Sequence, residues 1–140
     1  MKSLHAYLEQ FSDKEKAQEK KHVLIVHSNA RTADAIASHF PHPIECTVVT
    51  KGRLVLGLVE ISKPDAIILD TQIQDIYYLQ LCIMLRYHHN AANIPILIVS
   101  KNAGLLEKYR CIEAGASDFL SMTNPTHIIA KRVQNVLASV

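Results

Sequence analysis

The sequence predicts an α/β fold in which a parallel five-stranded sheet lies between two layers of helices. Short apolar runs such as residues 23–26 and 66–69 alternate along the chain with segments of helical periodicity. These runs contain no polar residue, as is typical of strands buried on both faces of a parallel sheet. Repetition of this strand–helix unit along the chain implies right-handed crossovers, with helices on both faces.

The first half of the chain carries three of the predicted strands. Residues 23–26 form an apolar strand, and residues 30–40 follow as a helix with Ile36 and Phe40 on one face and Pro41 at its end. Residues 44–50 are β-branched and strand-like, residues 54–61 are helical, and residues 66–69 form the third strand, which Asp70 closes.

The second half repeats the pattern. The predicted elements are a helix at 79–87, a strand at 96–99, a helix at 105–114, a short strand at 119–120 and a final helix at 126–137. In an open parallel sheet, ligands bind at the carboxyl ends of the strands. We therefore expect the chemistry to gather around the residues that close the strands: His27, Ser28, Asp70, Ser100 and Met122.

Residues 1–22 differ in composition from residues 23–140, and we predict that they form a helical extension of a single domain. Leu4, Leu8 and Phe11, with Tyr7 beside them, are spaced as one face of a helix. Residues 13–21 alternate charges with alanine and glutamine and favour a helix. Two interpretations stay open, a solvated extension that rests on the domain and a helix that links or dimerises.

Composition excludes several classes of protein. The chain has 140 residues, of which 49% are hydrophobic and 20% charged, and the net charge of +2 is too small to indicate nucleic-acid binding. Its three cysteines are an odd number without metal-type spacing, which favours a reduced, cytoplasmic protein. No apolar run is long enough to span a membrane, and the first residues do not resemble a signal peptide.

Four stretches, residues 23–30, 63–70, 93–100 and 113–120, carry a resemblance to a known family. Together they resemble the response-regulator receiver domain of two-component signalling. The resemblance covers residues 23–138 without an evident gap. It implies a flavodoxin-like (βα)5 three-layer sandwich, with strand order 2-1-3-4-5.

The resemblance also implies a phosphorylation site, most of which this chain has lost. In the family, two acidic residues after the first strand and a phosphoacceptor aspartate after the third hold Mg²⁺, and a lysine follows the fifth strand. Asp70 matches the phosphoacceptor, whereas His27 and Ser28 replace the acidic pair and Met122 replaces the lysine. Hard cations prefer oxygen ligands, so we expect no metal and no other cofactor here.

Two further positions match the family's conformational switch, and the loop after Asp70 departs from the family pattern. Ser100 matches the hydroxyl residue that follows the phosphoryl group, and Phe119 matches the switch aromatic. Gln74 replaces the usual proline, and Tyr78 replaces a glycine that often has a positive φ. The sequence therefore predicts a module without enzymatic activity, a degenerate pseudo-receiver.

His27 is interpreted as a histidine that fills the lost site and donates a hydrogen bond to Asp70. A hydrolase triad of His27, Asp70 and Ser100 is disfavoured, because the chain lacks a Gly-x-Ser-x-Gly nucleophile elbow.

Function is then expected on a surface rather than in a pocket, with a protein partner or homodimer and no small-molecule substrate. The resemblance places that surface on the fourth helix, fifth strand and fifth helix, and the candidate residues are Leu105, Leu106, Tyr109, Asp118, Lys131, Arg132 and Asn135. Tyr109 is equally compatible with the core. The alternative is a phosphorelay receiver that accepts a phosphoryl group on Asp70, in the manner of receivers fused to a diguanylate cyclase or a hybrid histidine kinase.

Overall fold

A computed structural model describes residues 20–139 of the chain. The five strands are β1 (His22–Val26), β2 (Glu45–Val49), β3 (Ala66–Asp70), β4 (Ile96–Ser100) and β5 (Asp118–Ser121). The helices are α1 (Ala30–Ala37), α2 (Val55–Ser62), α3 (Tyr78–Tyr87), α4 (Leu105–Glu113) and α5 (Thr126–Ala138), with a 3₁₀ turn at Gly52–Leu54. All strand pairs are parallel and the order is β2-β1-β3-β4-β5, which confirms the predicted fold and strand order.

The largest difference from the prediction lies at the end of α1. The helix ends at Ala37 rather than Phe40, because the amide of His39 and that of Phe40 each bond to a carbonyl only three residues back. Phe40 is still buried, but a turn after the helix, and not the helix itself, brings its side chain into the core. The predicted N-terminal helix, with Leu4, Tyr7, Leu8 and Phe11, lies outside the described residues.

The core has two halves, one on each face of the sheet. Residues of alternating orientation in β1, such as Leu24 and Ile25, contribute to opposite halves, so the central strands are apolar throughout. Helices α2, α3 and α4 cover one face, and α1 and α5 cover the other. Within residues 20–139, none of the helices has the length and apolar character that a membrane crossing would need.

The backbone ladder of the sheet brings the strand-closing residues to one edge. Asp70 pairs with Val99 in the register of β3 and β4. The ladder continues beyond the strands, as the amide of His27 donates to the carbonyl of Val49 and that of Met122 to the carbonyl of Ser100. The residues that close the strands, His27, Ser28, Asp70, Ser100 and Met122, therefore lie along the carboxyl edge, as predicted for this fold.

Candidate functional site

Asp70 is fully buried, and its carboxylate is held mainly from the β1 side. Oδ2 accepts the backbone N–H of Ser28 at 2.9 Å and also the Ser28 hydroxyl. Oδ1 accepts the backbone N–H of Gln72 at 3.0 Å. Hydrogen bonds to an ionised carboxylate are about twice as strong as neutral ones, so these donors tie the Asp70 carboxylate firmly to Ser28 and Gln72.

His27 lies beside Asp70 but does not donate a hydrogen bond to it. Its Nδ1 accepts the backbone N–H of Asn29 at 3.0 Å and stands 3.5 Å from Oδ2 of Asp70. In the neutral ring Nδ1 is therefore the unprotonated nitrogen and Nε2 carries the proton. The expected donation from His27 to Asp70 is wrong, because the Asn29 amide already occupies the lone pair of Nδ1.

The buried position of His27 disfavours its charged form. Only 3% of the residue is exposed, and its Nε2 is buried without a hydrogen-bond partner in the described structure. Burial lowers the pKa of His27 from its ordinary value of 6.5, although the nearby Asp70 carboxylate acts in the opposite direction. His27 is thus a neutral side chain that fills space next to the carboxylate.

The hydroxyl of Ser100 is directed away from Asp70. It donates to the carbonyl of Asn102 at 2.7 Å and accepts the amide of Asn102 at 3.1 Å, which closes a local turn after β4. Phe119 is 8% exposed and packs in the core on the α2–α4 face. Both predicted switch residues are therefore held by contacts that do not involve Asp70.

A polar cleft of about 640 Å³ opens above His27. Its lining residues are His27, Ser28, Asn29, Thr32, Gln72, Gln74, Lys101, Met122 and Thr123. Met122 borders this cleft and also packs against the core on the α1/α5 face, so an apolar thioether takes the position at which the family resemblance places a lysine.

The residues at this edge do not fit the Mg²⁺ ion of the family. Mg²⁺ takes octahedral oxygen ligands and is usually held by one or two carboxylates. Asp70 is the one carboxylate that closes a strand at this edge in residues 20–139, it is fully buried, and His27 and Ser28 stand where the family has its acidic pair. Within residues 20–139, His, Cys, Asp and Glu side chains form no group of three or more that could hold a metal ion.

In the loop after Asp70, the residues that depart from the family pattern do not need a left-handed backbone. Tyr78 is the first residue of α3 and is buried, and Lys63 is the one non-glycine residue with a positive φ in residues 20–139. The tyrosine thus adopts an ordinary helical backbone where the family often needs glycine. Gln74 lies on the exposed rim of the cleft.

The predicted interface residues are distributed over α4, β5 and α5. Leu105, Leu106 and Tyr109 are well exposed, so the core alternative for Tyr109 is wrong. Arg132 Nη1 lies 2.6 Å from Oδ2 of Asp118 and ties α5 to β5. Lys131 and Asn135 are also exposed.

Sequence reasoning missed three residues that shape the site. Asn29 caps α1 by accepting the amides of Arg31 and Thr32, and its own amide fixes His27. A capping residue before an apolar periodic segment was the available signal. Gln72 and Lys101 border the cleft from loops, where no periodic pattern distinguishes them.

A parallel sheet of this order, with a buried aspartate closing its third strand, is the arrangement that the resemblance to the receiver class predicts. The comparison with protein families agrees, because residues 23–134 match the model of the response regulator receiver domain. The chain belongs to this family of two-component signalling.

Two curated relatives are much longer than this chain. A stretch of 120 residues, 86% of the chain, is 22% identical to histidine kinase P4 of Formosa agariphila, of which it covers 9%. A stretch of 69 residues, 49% of the chain, is 32% identical to response regulator MprA of Mycolicibacterium vanbaalenii, of which it covers 29%. The chain therefore corresponds to a part of each relative.

Solved structures agree on the fold. A candidate response regulator from Chloroflexus aurantiacus is 26% identical with a TM-score of 0.77, covering 86% of this chain and 99% of that one. The receiver domain of a signal transduction histidine kinase from Syntrophus aciditrophicus is 22% identical with a TM-score of 0.75, covering 86% and 92%. Chemotaxis response regulator CheY4 of Vibrio cholerae is 19% identical with a TM-score of 0.77, covering 84% and 98%.

Proposed function

We propose that this receiver domain transmits its signal through protein contacts and not through Mg²⁺-dependent phosphorylation of Asp70. The observation that carries the proposal is the set of bonds around the Asp70 carboxylate. The Ser28 amide and hydroxyl occupy Oδ2, and the Gln72 amide occupies Oδ1. Internal donors thus do what a cation does in the working family, and they keep the site in one arrangement without a ligand.

The surroundings of Asp70 support the same proposal. Phosphoryl transfer depends on positive charge that neutralises the transferred group, normally a metal ion together with a lysine. Here a histidine that is neutral by burial and the thioether of Met122 take two of the family's charged positions, and Lys101 is the one cation among the residues that line the cleft. An incoming phosphoryl anion would face a carboxylate with little compensation, so Asp70 is expected to be a poor acceptor.

Three substitutions rebuild the family pattern and test this proposal. We expect no change in the amide resonances of Ser100 and Phe119 when Mg²⁺ and a phosphoryl analogue are added to the natural chain. The triple variant His27→Asp/Ser28→Asp/Met122→Lys should respond, since it regains two carboxylates and the lysine. The same variant carrying Asp70→Asn is the matched control, and a response of the natural chain would contradict the proposal.

The surface through which the domain acts is proposed to be that of α4, β5 and α5. Leu105, Leu106 and Tyr109 expose apolar area on α4, and Arg132 of α5 forms an ion pair with Asp118 of β5. Aromatic residues and arginine are enriched at protein interfaces. A second copy of the chain or a protein partner would cover these side chains. Sedimentation of the natural chain against Leu106→Asp should reveal an association that only the natural chain forms.

The alternative function is a receiver that is phosphorylated on Asp70 despite the substitutions. Lys101 favours it, because this lysine follows Ser100 and borders the cleft beside Gln72 and Met122. Lys101 follows β4 and would supply part of the positive charge that the family obtains from the lysine at the position of Met122. Histidine kinase P4 matches 120 residues of this chain and is much longer, so a receiver of this kind would there be one part of a longer protein. Phosphorylation that is lost in Lys101→Met would support this alternative.

A further inference from the structure

The two helical layers of the domain differ in how much apolar surface they expose. In residues 20–139, only Ile128 is both a large exposed apolar residue and part of the α1/α5 layer. All other such residues belong to the layer of α2, α3 and α4 or to its adjoining turns. One group, Leu105, Leu106, Tyr109 and Ile112, lies on α4. A second group, Ile61, Ile83, Met84 and Tyr87, lies on α2 and α3.

The second group makes α3 unusual for a surface helix. Its exposed residues are Gln80, Ile83, Met84 and Tyr87, which carry no charge. The one charged residue of α3, Arg86, is turned inward and donates to the carbonyls of Gly115 and Ile94, each at 2.7 Å. A helix that is apolar on its outer as well as its inner side is usually covered on both.

The exposed apolar group is concentrated near the ends of α2 and α3. Ile61 is 83% exposed and Tyr87 is 88% exposed. Their two helix ends are adjacent, because Nε2 of His88 lies 3.0 Å from Oε1 of Glu60. Helices of βα units run against the strands, so these ends lie at the amino edge of the sheet, the edge at which β1 begins.

The chain that enters at this edge has a matching apolar stripe. Residues 1–19 precede Lys20, which is anchored beside the start of β1 and β2 by its bond to Glu45. In that segment Leu4, Leu8 and Phe11 have the spacing of one helical face. The eight residues 12–19 span about 12 Å as a helix and about 26 Å when extended, so this connection reaches the outer side of the helix layer, roughly 20 Å from the sheet, when most of it is extended.

We propose that the stripe of Leu4, Leu8 and Phe11 docks on the outer surface of α2 and α3, over Ile61, Met84 and Tyr87. Length, point of entry and apolar character all favour this occupant. The α1/α5 layer offers no comparable surface in residues 20–139, since Ile128 stands alone there. Docking would leave the α4 surface free for the proposed signalling partner.

Nuclear magnetic resonance on the full chain tests the proposal. With labelled isoleucine methyl groups, we expect nuclear Overhauser contacts between the Ile61 methyl and the ring protons of Phe11. Leu8→Asp/Phe11→Asp should shift the Ile61 and Ile83 methyl signals and leave the Ile128 signal unchanged. The matched control Ala17→Asp lies in the charged part of the segment and should leave all three unchanged.

Two results would overturn the proposal. One is an Ile61 signal that does not respond to Leu8→Asp/Phe11→Asp while the rest of the spectrum stays folded. The other is a contact seen only between differently labelled chains in a mixed sample and lost on dilution, which would assign this surface to a second copy. An Ile61→Asp variant gives the reciprocal measurement, because it should shift the resonances of Leu8 and Phe11 without unfolding the domain.

Discussion

The two sides of Asp70 differ in where their polar groups point. On the β1 side, the amide and hydroxyl of Ser28 both donate to the carboxylate. On the β4 side, the hydroxyl of Ser100 bonds to the backbone of Asn102 and makes no hydrogen bond to Asp70. This carboxylate is therefore a hydrogen-bond acceptor that joins β3 to β1, and the hydroxyl of Ser100, the predicted switch residue on β4, makes no hydrogen bond to it.

Removing the carboxylate should have the largest effect on stability. Asp70→Ala leaves the Ser28 and Gln72 donors without their acceptor, and we expect the free energy of unfolding to fall by about 2–3 kcal/mol. In a site with three carboxylates the same change would relieve repulsion and stabilise the fold. Urea denaturation distinguishes the two cases. Asp70→Asn, which keeps one acceptor oxygen, should lose less than Asp70→Ala.

Removing a single hydroxyl from each side compares the sides directly. Ser28→Ala should lower the free energy of unfolding by about 1–2 kcal/mol, because it deletes a hydrogen bond to a charged group. Ser100→Ala deletes only neutral bonds to the Asn102 backbone and should cost about 0.5–1 kcal/mol. Equal losses in parallel urea titrations would mean that Asp70 is not joined preferentially to β1.

The pKa of His27 predicts how stability changes with pH. Because burial lowers this pKa in the folded state, the unfolded chain binds more protons than the folded one below about pH 6.5. Stability from the neutral ring is therefore complete above pH 6.5 and falls as the pH drops toward the folded pKa. His27→Gln keeps an acceptor for the Asn29 amide and should flatten this dependence between pH 7.5 and pH 5.5, as thermal unfolding at several pH values would measure.

A surface substitution should have the smallest effect on stability and separate it from function. Tyr109→Ala removes an exposed side chain of α4, so the free energy of unfolding should change by less than about 0.5 kcal/mol. The same variant should weaken association with a partner or a second copy in sedimentation experiments. Loss of stability without loss of association would place the functional surface elsewhere.

Sequence alone predicted the positions of the site residues but not the directions of their hydrogen bonds. Uninterrupted apolar runs determine the strands, and the parallel ladder then places His27, Asp70 and Ser100 at one edge. The protonated nitrogen of His27 depends on a bond from Asn29, and the orientation of the Ser100 hydroxyl depends on the turn after β4. Such local choices leave no periodic signal in a sequence.

The sequence also does not determine, for every side chain, whether it is exposed or buried. The pattern around Tyr109 fits the core and the surface equally well, and only the packing of α4 against the sheet decides between them. The end of α1 is a similar case. Phe40 lies in a turn and is buried, and a longer helix would bury it on the same face, so the apolar pattern fits both structures.

We propose that Asp70 does not work as a phosphoacceptor. Incubation of the full chain with acetyl phosphate and Mg²⁺, followed by intact mass spectrometry with Asp70→Asn as the control, tests this directly. We expect no added mass on either protein, while the variant His27→Asp/Ser28→Asp/Met122→Lys gains one phosphoryl group, about 80 Da. An adduct of that mass on the natural chain that disappears in Asp70→Asn would contradict it.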